Sequence, residues 1–266
     1  MASAATNNTQ QQEEEEEEEE LDIKTPEEVL YYWFKDNRGR DNAEDKWFKN
    51  GKLYDDEIEE IFGDTLEAVV EGYLPRWLRT KMGTLAFIIL TDQFPRHIYR
   101  GHEASFAFGP IALTAAKRIV QHYGIETFTS AEANFILLPF EHSEDIRDHD
   151  KGIQIMKSFL RRRPSDKILL STLESQLKSR AVIEKFGRKP TRNEILGRLS
   201  TEEEKEYLLG LKGIPVDLTY FHYLGGKVDK SSIDLSMFFY LGGKMSSNGY
   251  GSKYNKDDDD MMISKL

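Results

Sequence analysis

Cysteine is absent from all 266 residues, which excludes a disulfide framework, thiolate-bound metal and a cysteine nucleophile. Long hydrophobic runs are missing too. The longest, Leu85–Leu90 (LAFIIL), falls far short of the roughly 20 apolar residues that cross a bilayer, so no membrane insertion is expected. The N-terminus carries neither an apolar signal core nor an arginine-rich amphipathic presequence, and the expectation is a soluble intracellular protein. Sustained apolar–polar alternation is lacking before residue 211, which argues against sheet. No dinucleotide fingerprint, phosphate loop or metal quartet is present, so nothing fixes a cofactor.

The hydrophobic fraction of 39% is low, and the deficit is local. Residues 1–21 run through Asn, Gln and the eight glutamates Glu13–Glu20, a stretch that cannot offset its ordering entropy. Asp257–Asp260 lies in a second acidic tail over residues 251–266. These two runs hold 12 of the 47 acidic residues, and the rest of the chain balances its 36 basic residues almost evenly. The net charge of −11 is thus a property of the tails, which disfavours nucleic acid and anionic membrane as partners. Ser264-Lys265-Leu266 spells the tripeptide read by the peroxisomal import receptor at a free carboxyl terminus, giving a peroxisomal matrix expectation against a cytoplasmic one.

Between the tails, residues 22–210 read as an all-α domain of antiparallel helix pairs. Thr25, Pro26 and Glu28 form a capping box before Leu30, Trp33 and Phe34. A second helix carries Ile58, Ile61, Phe62, Leu66, Val69 and Val70 on one face and closes at Gly72 and Pro75. A more apolar central helix through Leu85–Leu90 is expected to stop at Pro95. A full helix spans Pro110 to Gly124, and residues 130–163, interrupted by Pro139 and Gly152, form one kinked helix or two. A long helix runs to Gly187, followed by short helices over residues 191–197 and 200–210. Residues 211–250 repeat Tyr-Leu-Gly-Gly-Lys at Tyr223 and Tyr240 and read as an extension docked on the helical body; neither copy has phosphate-loop spacing.

Three polar clusters carry candidate chemistry. Asp92, Gln93, Arg96 and Arg100 surround Pro95 at the end of the apolar helix; the arginines could clamp a carboxylate or phosphate, or Arg96 could pair with Asp92 and cap orphan carbonyls. His142, Ser143, Glu144 and Asp145 follow the apolar FILLPF. On one continuous helix His142, Asp145 and His149 would share a face, but three ligands over two turns rarely converge without a fourth, and metal is not the favoured reading. Neighbouring His142, Ser143 and Glu144 cannot form a relay on a helix. Arg188, Arg192, Asn193 and Arg198 sit among Gly187, Pro190 and Gly197, where Thr191 could cap a helix and build an anion site.

YYWF, LTDQFPRHIYRG, ILLPFEHSED and FGRKPTRNEILGR, in this order and at these spacings, resemble the bacterial domain-of-unknown-function 924 family over about residues 26–210. The resemblance implies a tetratricopeptide-like, right-handed arrangement of helix pairs and no transferable activity. Motif by motif, it singles out Asp92, Gln93, Arg96, Arg100, His142, Ser143, Glu144, Asp145, Arg192, Asn193 and Arg198. This chain departs from the family pattern at His149 (Gln in the family), at Ser179 and Thr191 (His) and at His97 (Asn). If those family histidines do chemistry, this chain has lost or rewired it.

Two functional readings follow. In the first, helix pairs gather Asp92, Gln93, Arg96, Arg100, Asp145, Arg192, Asn193 and Arg198 into a groove for a peptide or small anionic ligand. In the second, a peroxisomal hydrolase or transferase acts on a small anionic metabolite, with His142 as general acid/base and Glu144 or Asp145 orienting it. Nucleic-acid binding would rest on Arg161–Arg163 and Arg188–Arg198 alone, without interleaved stacking aromatics, and is disfavoured.

Overall fold

The structure, a computed structural model, describes residues 21–35, 47 and 51–216. The expected tails, most of the extension over residues 211–250 and the tripeptide Ser264–Leu266 lie outside the described residues. Within them the chain is all helical, without a strand.

Helix α1 (Pro26–Phe34) starts as expected: the Glu28 N–H donates to Thr25 Oγ1 at 3.3 Å and the Thr25 N–H to Glu28 Oε2 at 2.7 Å. It buries Val29, Tyr32 and Trp33. Helix α2 (Asp55–Val70) opens with three acids that complement its dipole and buries Ile58, Phe62 and Leu66, whereas Val70 is exposed rather than part of the packed face. Helix α3 (Lys81–Ile88) buries every residue from Gly83 onward. At Gly83 an added Cβ would lie 2.4 Å from the Trp77 carbonyl oxygen, so only glycine lets the preceding turn pack this closely.

Pro95 does not stop this helix. After α3 the chain makes a π-helical turn, Ile89–Gln93, in which the Phe94 N–H donates to the Ile89 carbonyl five residues back, and then continues as α4 (Phe94–Ile98). In a regular helix the proline ring would clash with the carbonyl four residues earlier; the wider turn makes room for it. All five π-turn residues are buried, Asp92 and Gln93 among them.

Helix α5 (Gly109–Tyr123) ends at Gly124, whose φ of 74° suits glycine. Residues 130–163 form two helices, α6 (Ser130–His142) and α7 (Ile146–Leu160), and the break falls at Ser143–Asp145, at neither Pro139 nor Gly152. Asp145 caps α7, its carboxylate accepting from the Arg147 N–H at 2.9 Å. Gly152 instead allows close approach: a Cβ there would sit 2.9 Å from Phe140 Cβ on α6. Helix α8 (Lys167–Phe186) closes on left-handed Gly187. The expected helix over residues 191–197 is only a 3₁₀ turn, Pro190–Arg192, with Lys189 rather than Thr191 at its cap position and no side-chain cap bond. Helix α9 (Glu202–Leu208) repeats the capping box with Thr201 and Glu204.

Sequential helices pack in pairs, α5 on α6, α6 on α7 and α7 on α8, while α1 and α5 cover α3, and α2 covers α4. One core joins Leu85, Ile88, Ile119, Ile136, Phe140, Met156 and Leu173. The other is aromatic: Trp33 meets Phe94 and Phe135 edge-on at centroid distances of 5.6 and 5.4 Å. Where the C-terminal ends of the π turn and α6 meet α8 and the loop after it, the apolar filling gives way to charge.

Candidate functional site

The π turn supplies Asp92 and Gln93, α4 supplies Arg96, the last turn of α6 supplies Glu141 and His142, and the loop after α8 supplies Lys189 and Arg192; all are buried. His142 Nδ1 lies 2.8 and 2.9 Å from the two Asp92 carboxylate oxygens. Gln93 Nε2 donates to the same carboxylate at 2.5 Å. Arg96 Nε donates to the Asp92 carbonyl at 2.8 Å, and its Nη2 stands 3.5 Å from Oδ1. Arg192 reaches across to donate Nη2 to the His142 carbonyl at 2.7 Å. Both guanidinium groups lie over the Phe106 ring, Arg96 at 5.6 Å and Arg192 at 4.6 Å from its centroid.

Burial fixes the protonation states. It lowers His142, with help from the Arg96 charge, to about 3, so the imidazole is neutral at pH 7. Its Nδ1–H then points at Asp92, and Nε2 carries the lone pair. Burial alone would raise Asp92, but the positive charge that His142 takes on in acid, the charge of Arg96 and the hydrogen bonds from His142 and Gln93 outweigh it and hold the carboxyl at about 2. Burial and the neighbouring Arg96 also lower Arg192 to about 9, still charged at neutral pH.

Glu144 makes no hydrogen bond to the His142 ring. It accepts both Arg198 amines, at 2.8 and 2.9 Å, and the Lys189 N–H at 2.7 Å. The carboxylate that orients His142 is therefore Asp92, a correction to the expectation of Glu144 or Asp145. Asp145 is spent on its cap and on exposed Arg147. Arg100 is not brought here either: its fork holds Asp55 of α2. Asn193 turns to Ser200 and Glu204 at 3.0 and 3.3 Å, tying down α9 with Arg188. The helical face that His142, Asp145 and His149 would have shared does not exist, because the chain breaks at Ser143; His149 Nε2 bonds the Ser143 carbonyl at 2.9 Å. Among the described residues no three His, Asp or Glu converge as a metal ion would require.

Several groups that complete the cluster escaped the sequence reading. Lys189 was hidden inside a run of basic residues, and Phe106 in an ordinary aromatic pair. Glu141 had a usable signal, a lone acid closing an apolar helix. An open depression of about 820 Å³ between α7 and α8, lined by Asp150, Gln154, Arg161 and Arg180 among others, contains none of the candidate residues.

The arrangement is that of an all-α helical-pair protein with a charged cluster buried where its helix ends meet. Residues 29–210 match the family described as "Bacterial protein of unknown function (DUF924)", and the chain belongs to it. A solved structure, "Structure of Protein of Unknown Function ATU0120 from Agrobacterium tumefaciens", is similar at 29% identity with a TM-score of 0.58, over 69% of this chain and 96% of that one. No curated protein matches. No helix among the described residues is long and apolar enough to cross a membrane.

Proposed function

We propose that this protein binds a small anion, a carboxylate or phosphate group, on the unpartnered edges of Arg96 and Arg192 beside the Asp92–His142 pair. One observation carries the reading: Arg96 Nη1 and Arg192 Nε are buried and have no hydrogen-bond partner. An unpartnered buried donor on a charged group costs more than an ordinary lost hydrogen bond, and a fork-shaped donor suits a planar or tetrahedral oxyanion. The two like charges share one ring, with Lys189 a third buried cation beside them and Asp92 and Glu144 as the negative groups that act on Arg192. The depth of the cluster favours a small ligand over a peptide. Titration calorimetry with inorganic phosphate, acetate and glutarate tests this. At least one should bind, and Arg192→Met should weaken it more than tenfold. Melting should stay within about 1 kcal/mol of wild type, because the lost bond to the His142 carbonyl is offset by relief of repulsion. No binding by any of the three, or equal weakening by the remote Arg147→Ala, would overturn it.

The enzymatic reading is supported by one feature: Asp92 holds Nδ1 of His142, and no hydrogen bond engages Nε2. That leaves a fixed lone pair, the orientation a general base needs. Burial and the neighbouring Arg96 charge hold this imidazole at about 3, which makes it a weak base at neutral pH.

Peroxisomal delivery is a separate proposal that rests on Ser264-Lys265-Leu266 alone. A fluorescent protein carrying residues 251–266 at its C-terminus should enter peroxisomes and stay outside them when Leu266 is deleted.

A further inference from the structure

Adjoining the arginines, Lys189 and Glu141 are both buried, at 4% and 5% exposure, yet they do not form an ion pair. Glu141 accepts from Ser175 Oγ at 2.8 Å and leaves its second oxygen unpartnered. The Lys189 ammonium instead bonds the Ser179 hydroxyl on α8. A lysine buried for structural reasons is expected on a carboxylate, because the cost of desolvating its charge is offset only by an opposite charge. Here the available carboxyl is passed over for a hydroxyl.

From this geometry we infer that Ser179 and Lys189 form a nucleophile–base pair that accepts an acyl group from an ester or thioester bearing an anionic substituent. The substrate class rests on the anion-binding reading above; the pair itself does not. The partners differ in access as the roles demand, since Ser179 is half-buried and reachable while Lys189 is enclosed. The lysine is held by its backbone at both ends: its N–H donates to Glu144 at 2.7 Å, and its carbonyl accepts from Arg198 at 3.2 Å. Pro190 behind it favours the extended conformation observed, φ −93° and ψ 103°. Burial, then the charges of Arg192 and Arg96, against the opposing Glu141 and Glu144, lower its amine to about 7. His149 also feels the lysine charge. A substantial fraction of the amine is therefore free base at neutral pH.

In the acylation step Ser179 Oγ bonds to the carbonyl carbon as its proton passes to Lys189 Nζ. The bond to the leaving alkoxide or thiolate breaks, and Lys189 returns the proton to it. Water then attacks the seryl ester and gives up a proton through Lys189. The free acid leaves, and the serine hydroxyl is restored.

Full-length protein incubated with mono-4-nitrophenyl glutarate should release a burst of nitrophenolate and carry a glutaryl ester on Ser179, located by peptide mass spectrometry. Ser179→Ala, which loses only a 3.4 Å contact to the Glu141 carbonyl and the lysine's partner, should fold and remain unlabelled at this position. Ser179→Cys should recover labelling. Lys189→Met should slow acylation on the order of 100-fold, and the wild-type rate should rise with pH through about 7. Absence of an adduct, glutaryl amide on Lys189 in place of the serine ester, or labelling unchanged in Ser179→Ala would overturn the inference. Free glutarate separates the two proposals. If it binds but no adduct forms, the nucleophile alone is lost. If it does not bind yet 4-nitrophenyl acetate labels Ser179, the nucleophile stands and the anion clamp is lost.

Discussion

The described residues contain the same trio of residue types twice, an aspartate, a histidine and an arginine, with the adjacent α4 residues His97 and Arg96 contributing to one each. In the first, Asp55 accepts the Arg100 fork at 2.5 and 2.8 Å and stands 2.9 Å from His97 Nδ1. His97 also bonds the Gly51 backbone and packs edge-on against Trp33 at 5.9 Å. In the second, Asp92 binds His142 well, but Arg96 Nη2 approaches only to 3.5 Å and Nη1 has no partner. The second trio is the more deeply buried at its acid: the Asp92 side chain is 0% exposed against 17% for Asp55. Burial would normally demand fuller pairing, so the deeper trio being the less satisfied separates a staple from a site. The Asp55 trio ties α2 to α4. The Asp92 trio leaves a buried donor, Arg96 Nη1, without a partner.

The strongest way to break this comparison is Arg100→Ala. It strips Asp55 of both charged hydrogen bonds and should cost about 2 kcal/mol, a fall in melting temperature of about 5 °C, while anion binding is unchanged. Weakened anion binding in that variant would show that the two trios act as one.

Acid titration gives an intermediate effect. Folded His142 is held at about 3, whereas an unfolded histidine titrates near 6.5, so between these values the unfolded chain takes up a proton that the folded chain refuses. Stability must therefore fall as pH drops from 6.5 toward 3. Buried His149, lowered to about 4, adds loss of the same sign. His97 is lowered as well. His142→Gln, which cannot titrate, should flatten part of the slope of denaturation midpoint against pH; an unaltered slope would place the acid sensitivity elsewhere.

The smallest effect tests the surface. Asp145 and Arg147 form a short but solvent-exposed pair, and Arg147→Ala should leave both melting temperature and anion binding unmoved.

Much of the architecture could be read from local chemistry. Thr25–Glu28, the acidic start of α2, Gly124 and Gly187 mark helix ends because caps act within a few residues. Pro95 does not break its helix because the π turn makes room for the ring, whereas nothing in the structure explains why α6 runs through Pro139 and breaks only at Ser143. Asp92, Arg96, His142 and Arg192 were identifiable as polar residues beside apolar helix ends. Arg100 and Asp145 looked the same in sequence, yet their partners, Asp55 and Arg147, commit them elsewhere. Lys189 among its basic neighbours carried no sign that it would turn inward while Arg188 stayed nearer the surface.

Composition, periodicity and capping determined that this chain is helical, where most of its helices begin and end, and that its excess negative charge lies in the tails. Those properties depend on residues close in sequence, whose interactions form with little loop-closure entropy. Which arginine would be saturated and which left with an open edge was decided only by tertiary packing. Asp92 and His142 are 50 positions apart, as are His142 and Arg192, and hydrogen-bond satisfaction is set by neighbours in space rather than along the chain.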